Sequence, residues 1–188
     1  MLKDFFRGLF HAKKIPYKSE TSKVRHLVSF YCIGKGCDVG FGGDKIMKEN
    51  CDGIDFEKPY AYTGQDKVDI ACDLFKEKIP VADNTYDYVY SSHLIEDFPD
   101  TNAVLKDFIR ILKSGGNLIL VFPDQPKYAL HCEQTGQPVN LLHVHADMGL
   151  HFMKSCISQL ENIKVDYLFT SDCDIDYNVI IVCSATKL

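Results

Sequence analysis

His143, His145, Asp147 and His151 crowd into the stretch "HVHADMGLH". Imidazoles beside a carboxylate are the side chains best suited to moving protons near neutral pH. A His-x-His pair with a nearby acid is also a metal-binding pattern. It needs a third ligand aimed at the ion, which spacing does not show, so no metal is assigned. The stretch is expected to face a substrate, with His143 and His145 binding it or taking its proton. His93, in "SSHLIED", is the other candidate. Upstream, "CDVGFGGDKI" packs three glycines and two aspartates into ten residues. A glycine-rich turn lets a ligand approach the backbone closely and aims amide N–H groups at its anionic part. Two acids follow at later strand ends, Asp55 in "GIDF" and Asp73 in "ACDL". A carboxylate at the end of the second strand can accept both protons of a ribose diol.

These residues need a scaffold, and the hydrophobic pattern supplies one. The first 33 residues read as helical, with "TSKVRHLVSFYCIG" capped by Thr21 or Ser22 and stopped near Gly34. Strand-like and helix-like runs then alternate. "GCDVG", "CDGIDF", "KVDIACDL" and "YDYVYSS" read as four strands, and "DKIMKEN" as a short helix after the first. In the third, Val68, Ile70 and Cys72 share a face, and in the fourth Tyr86, Tyr88 and Tyr90 do, as core and cleft wall. "EKPYAYTGQDK" is poor helix material and reads as a loop. "DTNAVLKDFIRILKSGG" is a helix capped by Asp100 or Thr101, with Leu105, Ile109 and Leu112 on one stripe and Gly115 at its end. "NLILVFP" is apolar throughout, as a central parallel strand should be. Pro123, Pro126, Gly136 and Pro138 make the following stretch a loop, on the acceptor side of the cleft. A helix covers "MGLHFMKSCISQLE". "IKVDYLFTS" and "YNVIIVCSATKL" close the chain as an antiparallel pair joined by "DCDID".

This order predicts an α/β, Rossmann-like, doubly wound, mostly parallel sheet with an antiparallel C-terminal strand pair, and a ligand at the carboxyl ends of the strands. One domain over 1–188 is expected: a helical lid at 1–33 and an α/β core at 34–188. The 188 residues are 46% hydrophobic, enough for one core. A net charge of −5 argues against a broad basic face for nucleic acid. The eight cysteines are scattered with no C-x-x-C pair, as in a cytoplasmic protein with reduced thiols. "MLKDFFRGLFHAKK" reads as a short amphipathic helix, able to contact a membrane surface but not to span it.

From about Gly36 to Pro123 the sequence resembles the class I S-adenosylmethionine-dependent methyltransferases, in particular the small single-domain, ubiquinone-biosynthesis-like (methyltransferase type 11) group. "CDVGFGG" is similar to that family's first motif, "NTYDYVYSSHLIEDFPD" to its fourth-strand motif, and "RILKSGGNLILVFP" to the approach to its fifth strand. The resemblance implies S-adenosyl-L-methionine as cofactor. It implies Asp38, Gly40 and Gly42 at the methionine end, Asp55 at the ribose, Asp73 and Leu74 at the adenine, and Ser91, Ser92 and His93 beside the methyl. Asp44 stands where the family usually has a third glycine, and would cap the helix after the turn. "SGG" replaces the commoner Pro-Gly-Gly. Asp97 stands where many relatives carry a second histidine, and the helix usual after the ribose acid is missing.

The expected function is methyl transfer to a small-molecule, sugar or glycolipid-linked acceptor. The sequence has no Asn/Asp-Pro-Pro-Tyr segment and no Pro-Cys nucleophile of the kinds DNA methyltransferases carry. Displacement at a sulfonium releases a neutral sulfide, so in-line positioning supplies most of the gain. A proton-bearing acceptor also needs a base, for which His93, His143 and His145 are the candidates. The alternative is a catalytically inactive cofactor-binding or regulatory module of the same fold. A nicotinamide-dependent oxidoreductase also uses a glycine turn and a ribose acid, but "SSHLIED" and "LKSGG" speak against it.

Overall fold

The computed structural model describes residues 19–59 and 63–188. The expected amphipathic helix before Ser19 lies outside these residues. A seven-stranded sheet carries the molecule in the order β3-β2-β1-β4-β5-β7-β6. Its strands are β1 Gly36–Val39, β2 Cys51–Asp55, β3 Ile70–Ala71, β4 Tyr86–Ser92, β5 Leu112–Pro123, β6 Ile163–Ile175 and β7 Asn178–Lys187. The first five run parallel, and β7 runs antiparallel to both β5 and β6. Strand order reverses between β1 and β4, which leaves a crevice at their carboxyl ends. The helices are α1 Glu20–Val28, α2 Thr101–Ile111, α3 Gln125–Thr135 and α4 Leu150–Ser158. No helix among the described residues is long and apolar enough to cross a membrane.

Alternate residues of β5 serve opposite faces, as a central strand requires. Leu118, Leu120 and Phe122 pack with Leu105 and Phe108 of α2 and Met153 and Ile157 of α4. Ile119 and Val121 pack with Val24 and Val28 of α1, Tyr88 and Tyr90. Tyr86 lies in the first cluster, apart from Tyr88 and Tyr90. The pairing of β4 with β5 slips between Tyr86 and Tyr88, and that slip moves Tyr86 to the other face.

Several expected boundaries shift, each for a local reason. No helix forms over "DKIMKEN". Side chains take the backbone groups a helix would have paired: Asp38 accepts from the Ile46 amide at 2.7 Å, Asp66 accepts from the Lys45 amide at 2.9 Å, and Arg25 donates to the carbonyls of Lys45 and Ile46. Ser19, not Thr21 or Ser22, caps α1 by accepting from the Ser22 amide. β3 is only two residues long, because the Asp69 carboxylate accepts from the Gly53 amide at 2.7 Å where a strand rung would form. α2 stops at Ile111, before Gly115, because the amides of Asn84 and Thr85 take the carbonyls of Arg110 and Ile111. β6 continues through "DCDI", so the hairpin turns at Asp176 and Tyr177.

The stretch after Pro123 holds a helix where a loop is expected. Asp124 caps α3 through the Lys127 amide, Pro126 sits in its first turn where it has no donor to lose, and Gly136 ends it at φ +69°. The prolines and glycine are boundary signals of a helix as much as loop markers. From 136 to 149 the chain is irregular.

Candidate active site

Two walls enclose a cleft of about 290 Å³ at the carboxyl ends of β1 and β4. Gly40 and Gly42 stand on one side; His93, Glu96 and His143 stand on the other. Gly40 has φ +73°, and a Cβ there would lie 2.8 Å from Leu94. That position therefore requires glycine on both conformational and steric grounds. The turn is braced from outside: the Thr63 amide donates to Gly42 O at 2.7 Å and the Asp66 amide to Gly43 O at 2.8 Å.

Asp38, on β1, is fully buried, and Oδ1 has no partner while Oδ2 holds the Ile46 amide. Burial pushes its carboxyl far above the usual carboxylate range. Asp55 ends β2 and accepts from the amides of Gly42 at 3.0 Å and Phe56 at 2.8 Å. Burial raises its pKa against those two donors. Asp44 lies outside the turn, not at a helix start: Arg25 donates to it at 2.7 Å and Ser19 Oγ also bonds it. It fastens α1 to the glycine turn.

Asp73 lies in a different setting. Its carboxylate accepts from the Phe75 amide at 3.2 Å and Lys76 Nζ at 2.6 Å. Leu74 lines a neighbouring groove of about 750 Å³ together with Phe75 and Phe98. There Phe75, 46% exposed, stacks on Phe98 with centroids 4.4 Å apart and on Phe56 at 6.2 Å.

Ser91 ties β4 to β1 through Oγ to Val39 O at 2.9 Å, and the buried Ser92 Oγ has no partner. His93 follows with φ +51°, an uncommon conformation for a side-chain-bearing residue. Asn178 Nδ2 donates to Glu20 at 3.1 Å, so its Oδ1 faces His93 Nε2 at 2.6 Å and Nε2 must carry the proton. The lone pair of Nδ1 then points toward Glu96, 3.4 Å away. His143 repeats the arrangement. Its Nδ1 donates to Gln125 Oε1 at 2.8 Å, leaving the Nε2 lone pair 3.7 Å from Glu96. Burial, and then the neighbouring His93, push the His143 pKa down to about 4. Burial lowers His93 as well, with Glu20 opposing.

His145 parts from His143. Its Nε2 lies 2.7 Å from Phe98 O and 3.1 Å from Thr101 Oγ1, and its ring packs on Phe152. It braces the start of α2 and does not line the cleft. His151 is exposed on α4. Among the described residues, the group with metal-ligand spacing is Asp124, Asp172 and Cys173, which includes none of these histidines.

Sequence reasoning missed Glu96, Glu20, Tyr128, Tyr177 and Asn178. Glu96 had a signal: it follows His93 by three residues, one turn on. Tyr177 and Asn178 had none, because only the return of the β6–β7 hairpin brings them to the crevice.

Residues 37–120 match the family model described as a methyltransferase domain. Among curated proteins, the chain is 34% identical to a demethylmenaquinone methyltransferase of Geobacillus sp. (strain WCH70), over 39% of this chain and 35% of that protein. It is 27% identical to phosphoethanolamine N-methyltransferase 3 of Arabidopsis thaliana, over 60% of this chain and 26% of that protein. The chain thus spans about a third or less of the length of these relatives. Its fold is shared by S-adenosylmethionine-dependent methyltransferases of Thermotoga maritima (TM-score 0.60, 18% identity, 97% of this chain and 96% of that one) and Archaeoglobus fulgidus (TM-score 0.61, 12% identity, 87% and 92%). In its match over residues 37–120 and in its sheet order the chain is similar to the class I S-adenosylmethionine-dependent methyltransferases.

Proposed function

We propose that this chain transfers a methyl group from S-adenosylmethionine to a proton-bearing atom of a small molecule, a class that takes in sugars and glycolipid head groups. The observation that carries the reading is the cleft that joins Gly40 and Gly42 to His93, Glu96 and His143. The cofactor's requirements fit the residues present. A bare turn at Gly40 admits it, and three buried acceptor or hydroxyl positions near the turn answer its polar groups: the unpartnered Asp38 Oδ1, the Asp55 carboxylate and the unpartnered Ser92 Oγ.

On this reading Asp55 holds the ribose diol, with Gly42 and Phe56 fixing the direction of its lone pairs. Asp38 takes the methionine amino group, and Ser91 keeps Ser92 and His93 in place by tying β4 to β1. Asp73, Leu74 and the Phe56–Phe75–Phe98 column form the adenine side. When bound, S-adenosylmethionine supplies an electrophilic methyl on a sulfonium, which needs no acid catalyst at the leaving group. His93 and His143, both with a lone pair turned into the cleft, orient the acceptor and take its proton. Those lone pairs also favour turnover over a module that only binds.

The test is transfer of isotope-labelled methyl from S-adenosylmethionine by the full chain to pooled small-molecule extracts. Labelled product that disappears in a His93→Ala, His143→Ala double variant with intact cofactor affinity supports the reading. No labelled product from a chain that binds the cofactor supports the inactive module instead.

A further inference from the structure

Glu96 is the most conspicuous group that methyl transfer as outlined leaves unused. It is 1% exposed, yet neither carboxyl oxygen has a hydrogen-bond partner among the described residues. An unpaired acid in so dry a place costs folding free energy, and a chain keeps such a group where a ligand completes it. Glu96 lines the cleft. The groups facing it are His93 Nδ1 at 3.4 Å and His143 Nε2 at 3.7 Å, with Glu20 and Asp97 as further charges nearby.

The tautomers derived above make both imidazole nitrogens acceptors. Once a cation beside it ionises Glu96, the site presents three acceptor atoms and no donor: a carboxylate oxygen, Nδ1 of His93 and Nε2 of His143. A hydroxyl group offers such a site one O–H donor. A primary ammonium offers three, plus the positive charge that a buried carboxylate lacks. The remaining surroundings also suit a cation. The rings of Tyr128 and Tyr177 meet at 5.1 Å, with Tyr128 4.8 Å from the His143 ring, and aromatic faces attract cations. Among the described residues the cleft wall includes Glu20 as well, and no lysine or arginine; Lys23, outside the lining, pairs with Glu20 at 2.9 Å.

The geometry points to an amine as the methyl acceptor, received as its ammonium by Glu96, His93 and His143, with Glu96 taking the proton that frees the nitrogen lone pair. This rests on the methyl-transfer reading above and narrows its substrate class. The ammonium N–H bond breaks and its proton passes to the Glu96 carboxylate. The nitrogen lone pair then forms the N–CH3 bond as the S–CH3 bond breaks, its electron pair staying on sulfur. The products are a methylammonium and neutral S-adenosylhomocysteine. Glu96 afterwards returns its proton to solvent, so one proton is released per turnover. Burial holds the Glu96 carboxyl well above the usual range, which suits a group that must accept a proton from an amine.

The experiment offers the full chain labelled S-adenosylmethionine with a panel of primary and secondary amines (alkyl, arylalkyl, hydroxyalkyl and amino-sugar) and the matched alcohols. Glu96→Gln is assayed in parallel. Expected is transfer to at least one amine and not to its alcohol. Glu96→Gln should lower that turnover about 100-fold or more while holding S-adenosylhomocysteine affinity within about twofold of wild type. Gln is isosteric, and a melting temperature at or above wild type confirms its fold. Transfer to alcohols alone, transfer to no member of the panel, or full activity of Glu96→Gln overturns the amine assignment while cofactor binding stands. Absence of S-adenosylhomocysteine binding overturns the methyl-transfer reading itself.

Discussion

The amide of Gly42 donates to Oδ2 of Asp55 across 3.0 Å. The glycine turn after β1 and the acid that ends β2 are therefore one unit. The turn aims the carboxylate, and the carboxylate fixes the turn, with the Gly40 amide to Ile54 O at 2.8 Å as a second tie between the same two segments.

Asp55→Ala removes the acceptor assigned to the ribose and one anchor of the turn. Cofactor affinity should fall by roughly 1.5–3 kcal/mol, the scale of hydrogen bonds to a charged group. The fold should persist, since the backbone pairing of β2 does not use this side chain. Calorimetric titration of wild type and variant reads the difference. A change within about twofold contradicts the ribose role.

Gly64→Ala tests whether the outer brace sets the turn. A Cβ at Gly64 would lie 1.8 Å from Gly43 O, a backbone atom that cannot swing aside. The 63–66 segment must pull away, and stability should drop by about 1–3 kcal/mol, with weaker S-adenosylhomocysteine binding alongside. Chemical denaturation and titration of the same sample report both. An unchanged denaturation midpoint would show that the brace is dispensable.

Stability should depend on pH through two buried groups of opposite sign. His143 stays neutral in the fold down to about pH 4. In the unfolded chain an imidazole takes a proton near pH 6.5. Between those values the unfolded state binds more protons, so stability falls as pH drops, by up to about 3 kcal/mol. Glu96 keeps its proton in the fold above the pH at which an unfolded glutamate loses it, so it withdraws stability as pH rises. The two slopes oppose each other between about pH 4.5 and 6.5, so midpoints should rise with pH there in Glu96→Gln and fall with pH in His143→Asn. Glu96→Gln should be more stable than wild type at neutral pH. Variants whose midpoints follow the same pH profile as wild type contradict both assignments.

The parallel order and the strands that carry Asp38 and Asp55 and lead to His93 were legible because the strand runs bury both faces, and glycine ends the first. The residues assigned to the cofactor were proposed from local pattern for the same reason: Gly40, Asp55 and His93 each sit at or next to the end of a strand. Three things were not legible. The absent helix after Gly43 depends on Asp38, Asp66 and Arg25, which are distant in sequence and claim its backbone groups. The split of His143 from His145 is decided by Gln125 on one side and Phe98 on the other, which no spacing encodes. The cluster around His93 draws Glu20 from α1, Glu96 from after β4 and Asn178 from β7, so it exists only once the chain has closed on itself.

Titration of S-adenosylmethionine and S-adenosylhomocysteine into the full chain tests the central claim most directly. Binding at one site is expected for both, weakened by Asp55→Ala and left within about twofold by His143→Ala, because the proposal assigns cofactor and acceptor to separate residues. Wild-type protein that is folded and binds neither compound would contradict the account.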